Sequence, residues 1–356
     1  MGTSQYSSSF GRLQAIAINL LSKDFMQNLL KAKDVTEMIK MLESTWYGKE
    51  IERAASVYQD PPELLEVALN RHLVEVNKIV LEATPFNGKN AVRAYLLKWD
   101  IHNIELILSS KSMGRAITET ESFLVSSRNV PAGISAGNIP HDEMKVILSQ
   151  SGVDGVVNQL VKYNYGTILM QHLDAYQKTG DLGPMMSALQ RYYYQTLLES
   201  LKFFQGDEGV IRELIRTEID KKNILNLLKA KESNLDKEMV NRHLVEGGKI
   251  SMKELMEIYD VKNVAEIVGR LEGYYTLIQA LSQYRTTNSL IDFEVSLDKF
   301  INTTYVRKLK NIPLSVGTIF YFIITAEYER ENIKRIAYGK RYNLSNEQIS
   351  SMLLNE

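Results

Sequence analysis

The 356-residue chain reads as an all-α protein built from three similar helical-bundle units. Three observations predict this. Apolar residues recur at steps of three and four along much of the chain. No run shows the sustained apolar and polar alternation, bounded by turn residues, that marks strands. Two separate sequence elements also return three times in a common register.

Taken in chain order, the first clear stripe is Leu65, Leu69, Leu73, Val76 and Val80. A second runs through Met186, Leu189, Tyr193, Leu197, Leu201 and Phe204, and a third through Leu297, Ile301, Tyr305 and Leu309. On a helix, residues so spaced share one face, and an apolar face must pack against something. Pro61-Pro62, Pro85 with Gly88, Pro131 with Pro140, Gly180 with Pro184, Gly206 with Gly209, Gly247-Gly248 and Pro313 fall between the stripes and are expected as turns. The longest irregular stretch, about residues 126–140, is expected to be a surface loop between units. The most apolar stretch, residues 312–326, contains Pro313, Ser315 and Gly317 and runs into Glu327. It falls short of the roughly 20 apolar residues of a membrane span and is expected as a buried helix.

The repeat sets the organisation. An acid-x-x-Asn-Ile element occurs at Asp100, Asn103 and Ile104, at Asp220, Asn223 and Ile224, and at Glu329, Asn332 and Ile333. Each copy has an apolar residue four after the Asn (Ile107, Leu227, Ile336) and a lysine eight after it (Lys111, Lys231, Lys340). On a helix the acid, the Asn and that apolar residue share a face. The second element is Val35, Ile39 and Leu42, then Val153, Val157 and Leu160, then Val264, Val268 and Leu271. Aromatics follow each copy: Trp46-Tyr47, Tyr163 and Tyr165, and Tyr274-Tyr275. The two elements keep step, with 61 residues from Leu42 to Asn103, 63 from Leu160 to Asn223 and 61 from Leu271 to Asn332.

Each unit opens on a helix-start leader. Ser251 with Glu254 and Ser345 with Gln348 fit the capping box, and Ser22-Lys23-Asp24 and Pro140-His141-Asp142 are looser versions. Four leaders for three units point to a final partial copy. The expected units are 1–120 with an N-terminal helix, 121–235, and 236–356 with a C-terminal partial-repeat helix. Two identities fall outside this register and are read as coincidence: the hexapeptides at 70–75 and 241–246, and the Leu-Leu-Lys-Ala-Lys runs at 29 and 227.

Composition narrows the chemistry. Forty-two basic against 43 acidic side chains leave a net charge of −1, so no chain-wide field steers the protein toward nucleic acid. With no cysteine, disulfides, thiolate metal sites and cysteine nucleophiles are excluded. The first residues lack the basic start and apolar run of a secretory signal, so the chain is expected not to be exported. His72, His102, His141, His172 and His243 show no metal-ligand spacing. Asn87-Gly88-Lys89-Asn90 lacks the leading glycine and the trailing Ser or Thr of a phosphate loop, and Gly-x-Ser-x-Gly is missing. Of Tyr192, Tyr193 and Tyr194, only Tyr193 belongs to a stripe, which leaves a neighbour for a contact surface or for packing against an adjacent unit.

The string Trp99-Asp100-x-x-Asn103-Ile104-x-x-Ile107-Leu108, its two in-register echoes, and the leader Arg12-Leu13-x-Ala15 with Leu20-Leu21 resemble the C/d-subunit family of archaeal and vacuolar rotary ATPases. The resemblance covers nearly the whole chain. It implies three helical units around a pseudo-threefold axis, forming a funnel with no catalytic site and no cofactor. It further implies a central-stalk role in a V/A-type proton- or sodium-translocating ATP synthase or ATPase, peripheral on the cytoplasmic face of the membrane. The implied partners are the D- and F-type shaft subunits and the membrane proteolipid ring, with the stator membrane subunit a further candidate, and neither nucleic acid nor a small-molecule substrate. Asp100, Asn103, Lys111, Asp220, Asn223, Lys231, Glu329, Asn332 and Lys340 are the candidate site residues. Either they line a socket for a shaft, or they bond internally, each within its own unit, because an unpaired buried polar group costs about 1–3 kcal/mol. The competing functional reading is an α-helical repeat scaffold for a peptide or protein, unrelated to rotary motors.

Overall fold

A computed structural model describes residues 3–115, 120, 124, 125 and 138–354. It is all-helical, with no strand among the described residues. Residues 126–137 of the expected inter-unit loop lie outside the described residues. The chain forms two compact units, one of residues 1–182 and 313–353 and the other of residues 183–312 with 354–356.

In the first unit, α1 (Thr3–Ala17), α2 (Lys23–Lys31), α3 (Val35–Leu42) and α4 (Gly48–Ala55) precede two long helices, α5 (Pro61–Ala83) and α6 (Phe86–Ser112). After them come α7 (His141–Leu148), α8 (Val153–Leu160) and α9 (Tyr165–Thr179). The predicted stripe on α5 is fully internal: Leu65, Leu69, Leu73, Val76 and Val80 are all buried. Pro61-Pro62 open this helix instead of forming a free turn, because a proline in the first helical turn forfeits an amide that has no partner there anyway.

The second unit comprises α10 (Gly183–Leu201), α11 (Gly209–Glu232), α12 (Lys237–His243), α13 (Met252–Tyr259), α14 (Val264–Leu271), α15 (Ile278–Thr287), α16 (Ile291–Ile301) and α17 (Arg307–Lys310). Its core gathers Ile224, Leu227, Leu255, Ile267, Leu271 and Phe293, among others, around α11. Tyr193 and Tyr194 are buried and Tyr192 is half-buried. The stripe Leu297, Ile301, Tyr305, Leu309 stays buried across a π-helical turn, Asn302–Val306. Steps of four overshoot a full α-helical turn by about 40° each. The wider π turn takes up that drift and returns Leu309 to the core face.

The chain then re-enters the first unit as α18 (Val316–Arg341) and α19 (Asn346–Met352). Residues 312–326 contribute the buried start of α18, with Ser315 accepting from the Gly317 amide at 2.9 Å. Among the described residues no helix is long and apolar enough to cross a membrane. α18 packs on α5, α1, α2 and α3, and α19 packs on α18 and α2. The cluster holding Leu29, Met38, Leu42, Ile51, Leu65, Ile333, Ile336 and Ile349 is therefore assembled from both ends of the sequence.

The repeat recurs in the geometry. The second element is an eight-residue helix in all three copies, α3, α8 and α14. The three marked helices, α6, α11 and α18, close alike: the residue 11 after the marker Asn is left-handed in each, Gly114 at φ 65°, Asn234 at 51° and Asn343 at 56°. The next amide reaches back across the turn, Arg115 to Ser110, Leu235 to Ala230 and Leu344 to Gly339, each at 2.9–3.0 Å. This is the Schellman closure, which satisfies a carbonyl at the helix end and favours Gly or Asn at the left-handed position. Helix starts vary more. Ser22, Ser251 and Ser345 each cap their leader helix, but the reciprocal box forms at Ser345–Gln348, while Ser251 makes only its half.

Candidate functional site

The marker carboxylates are fully buried at Asp100 and Asp220 and 8% exposed at Glu329. Each receives three donors. Asp100 accepts from the backbone amides of Asn138 (2.8 Å) and Ile139 (3.1 Å) and from the Tyr165 hydroxyl (2.9 Å). Asp220 accepts from the amides of Lys249 (3.0 Å) and Ile250 (3.2 Å) and from the Tyr275 hydroxyl (2.6 Å). Glu329 accepts from the Leu21 amide (2.5 Å), the Trp46 indole (3.2 Å) and the Tyr47 hydroxyl (2.7 Å). Ile139, Ile250 and Leu21 each sit immediately before the cap of a leader helix. Tyr165, Tyr275 and Tyr47 are the aromatics that follow the three eight-residue helices. Each marked helix thus pins the start and the end of one leader hairpin with a single carboxylate.

The internal reading expects these bonds within each sequence unit, and the structure places them elsewhere. Asp100 holds the leader that follows it in sequence, Asp220 holds the next, and Glu329 returns to the first leader at residues 21–47. A spacing pattern is unchanged by such a shift of partner by one copy, so only the three-dimensional contacts reveal it.

Electrostatics sharpens the picture. Burial pushes the Asp100 carboxyl up to about 6 and Glu329 up to about 7, and raises Asp220 as well, while the three donors on each oppose the shift. The same enclosure raises Tyr47 and Tyr275, next to Glu329 and Asp220 respectively. A buried anion offered only donors is held because those donors would otherwise be unpaired.

Asn103 and Asn223 use both the nitrogen and the oxygen of their side-chain amides. Each donates to and accepts from a single loop residue 22 positions on: Val125 (3.3 and 2.8 Å) and Val245 (2.8 and 2.8 Å). Asn332 is 7% exposed. Lys340 donates to the Leu30 carbonyl at 2.8 Å, at the end of α2, and the Lys231 ammonium lies 3.9 Å from the Tyr259 ring centroid, at the end of α13. Lys111 is half-buried at the end of α6. Among the contacts of the second unit that sequence spacing did not single out, Ser187 pairs with His243 Nδ1 at 2.7 Å and ties α10 to α12. Among the described residues no group of His, Asp and Glu is arranged to hold a metal ion.

Glu66 on α5 faces Arg330 at 3.6 Å and Lys334 at 2.8 Å, and Arg330 also donates to Asn70. This internal ion cluster locks α5 to α18. Sequence reasoning missed it because its members sit about 260 residues apart and follow no motif.

These features define a class first: an internally repeated, all-helical protein whose distinctive polar residues brace its own helices. The family model described as "ATP synthase (C/AC39) subunit" matches residues 10–352. The chain is 36% identical over 350 residues to the A-type ATP synthase C subunit of Thermoplasma volcanium, covering 98% of each chain. It is 35% identical over 353 residues to that of Thermoplasma acidophilum, covering 99% of each. With the Methanocaldococcus jannaschii protein of the same name it shares 27% over 347 residues, 96% of this chain and 84% of the relative. The chain belongs to the ATP synthase C/AC39 family, as a structural, non-catalytic subunit of a rotary ATPase.

Proposed function

We propose that this chain is the central-stalk subunit that couples the soluble rotor shaft, of D- and F-type subunits, to the membrane proteolipid ring of a V/A-type ion-translocating ATP synthase. It works peripherally on the cytoplasmic face, and the stator membrane subunit is a further neighbour. It makes and breaks no bond of its own and transmits torque by stiffness. The observation that carries this reading is the triply repeated carboxylate anchor within a chain matched end to end by relatives that are A-type ATP synthase C subunits. Densely packed helices braced by hydrogen-bonded buried carboxylates transmit load instead of absorbing it.

We further infer that the mechanical module is a marked helix together with the leader hairpin it pins. The three modules are then α6 with residues 138–165, α11 with residues 249–275, and α18 with residues 21–47. In the assembled subunit they are arranged with pseudo-threefold symmetry as a funnel. With the marker carboxylates and amides engaged internally, contacts to shaft and ring fall to other surfaces. The test is gentle solubilisation of host membranes and affinity capture on this chain. Co-isolation of proteolipid and shaft subunits is the expected result. Capture of the chain alone, from membranes in which the rotary complex is intact, would overturn the coupling role.

A further inference from the structure

Between α5 and α18 lies a cavity of about 10 Å³, the space of a single water molecule. Leu69, Leu73 and Val76 form its apolar wall, and Tyr47, His72 and Arg330 bring polar groups to it. The residue His72 is 9% exposed and Arg330 is 7% exposed. Nε2 of His72 and Nε of Arg330 are both buried without a hydrogen-bond partner among the described residues. Neither side chain is free to turn elsewhere. The His72 ring is clasped between Trp46 and Tyr47, with centroids 4.4 and 4.3 Å away, and the Arg330 guanidinium is fixed by Asn70, by Glu66 and by the Trp99 ring 5.5 Å off.

We propose that this cavity is a binding site for one structural water, which accepts from Arg330 Nε–H and bridges to His72 Nε2, with the Tyr47 oxygen as a further acceptor. Such a water has the two to four partners that a buried water needs. Being both donor and acceptor, water serves either tautomer of His72. The charges around the site select a neutral occupant. An anion there would meet Glu329 beside Tyr47 and Glu66 beside Arg330, and a cation would face the Arg330 N–H donor. Burial holds the His72 imidazole neutral, pushed down to about 3, which leaves Nε2 able to share a proton with water at any ordinary pH. Because Tyr47 also donates to Glu329, the water extends the anchor of the first leader across to α5.

The test combines two readouts on the full chain. In a crystal structure of the wild-type protein, a water within hydrogen-bonding distance of both His72 Nε2 and Arg330 Nε is expected. A dry site, or the two nitrogens re-partnered to protein groups, overturns the proposal. In solution, magnetic relaxation dispersion of the wild type should count one long-lived water more than His72→Phe, whose ring fills the space. Equal counts in two folded proteins would also overturn it.

Discussion

Replacing Tyr165 with Phe removes one hydroxyl and nothing else from the Asp100 anchor, and its effect can be worked through in advance. Asp100 is completely buried and its carboxyl sits at about 6 against an ordinary 3.8. That displacement means that holding the charge in place costs roughly 3 kcal/mol, at about 1.36 kcal/mol per pH unit. Because the folded-state value lies above the unfolded one, the native state binds the extra proton between pH 3.8 and about 6. This group's contribution to stability therefore grows as pH falls through that window and is least favourable above it. Taking away the 2.9 Å hydroxyl donor leaves the anion with two donors and forfeits a charge-assisted bond of about 1.5–3 kcal/mol. At pH 8 we expect a loss of about 2 kcal/mol, which for a unit of this size is a fall in melting temperature of roughly 4–8 °C. At pH 5 the carboxyl is mostly protonated and the same deletion should cost about half as much. Thermal unfolding of wild type and variant at the two pH values reads this directly. An equal loss at both, or a larger loss at pH 5, would show that the hydroxyl does not support a buried anion.

Three further outcomes are expected. A Cβ built on Gly248 would stand 2.1 Å from Asp220 Oδ1, so Gly248→Ala should dislodge the second anchor and cost about 1–3 kcal/mol, measured by urea unfolding; an unchanged midpoint would contradict the packing described. Asn223→Asp keeps an acceptor for the Val245 amide but loses the donor to the Val245 carbonyl, and should destabilise by about 1–3 kcal/mol at pH 7, with faster amide exchange at Val245 as the local readout. Ser345→Ala removes the side-chain half of the capping box on α19, the bond from the Gln348 amide to the Ser345 hydroxyl, and should cost about 1 kcal/mol, seen as earlier tryptic cleavage at Arg341, just ahead of that helix.

The register of acid, Asn and lysine was legible because it is a property of one helix, and α6, α11 and α18 repeat it faithfully, down to a Gly or Asn at the left-handed closing position. What the carboxylates hold was not legible. The backbone groups that join Tyr165, Tyr275 and Tyr47 are the amides of Asn138, Ile139, Lys249, Ile250 and Leu21, and an amide leaves no trace in residue type. The aromatics were visible, but nothing in the spacing says that Tyr47 answers to Glu329, 282 positions away. Identical words can also carry different structures. Residues 70–75 lie within the continuous helix α5, whereas the same six residues at 241–246 end α12 and run on without helix, so that Val245 can pair with Asn223. There tertiary bonding decides what local preference leaves open.

The bond from Glu329 to the Leu21 amide spans 308 residues of chain. During synthesis the first leader, with the core it shares with α18, must wait for nearly the whole polypeptide before its anchor exists, whereas the anchors at Asp100 and Asp220 close over at most 65 residues. Closing so wide a loop is entropically slow. The N-terminal hairpin is therefore secured only after α18 has been made, and a ribosome stalled before residue 329 leaves its anchor open.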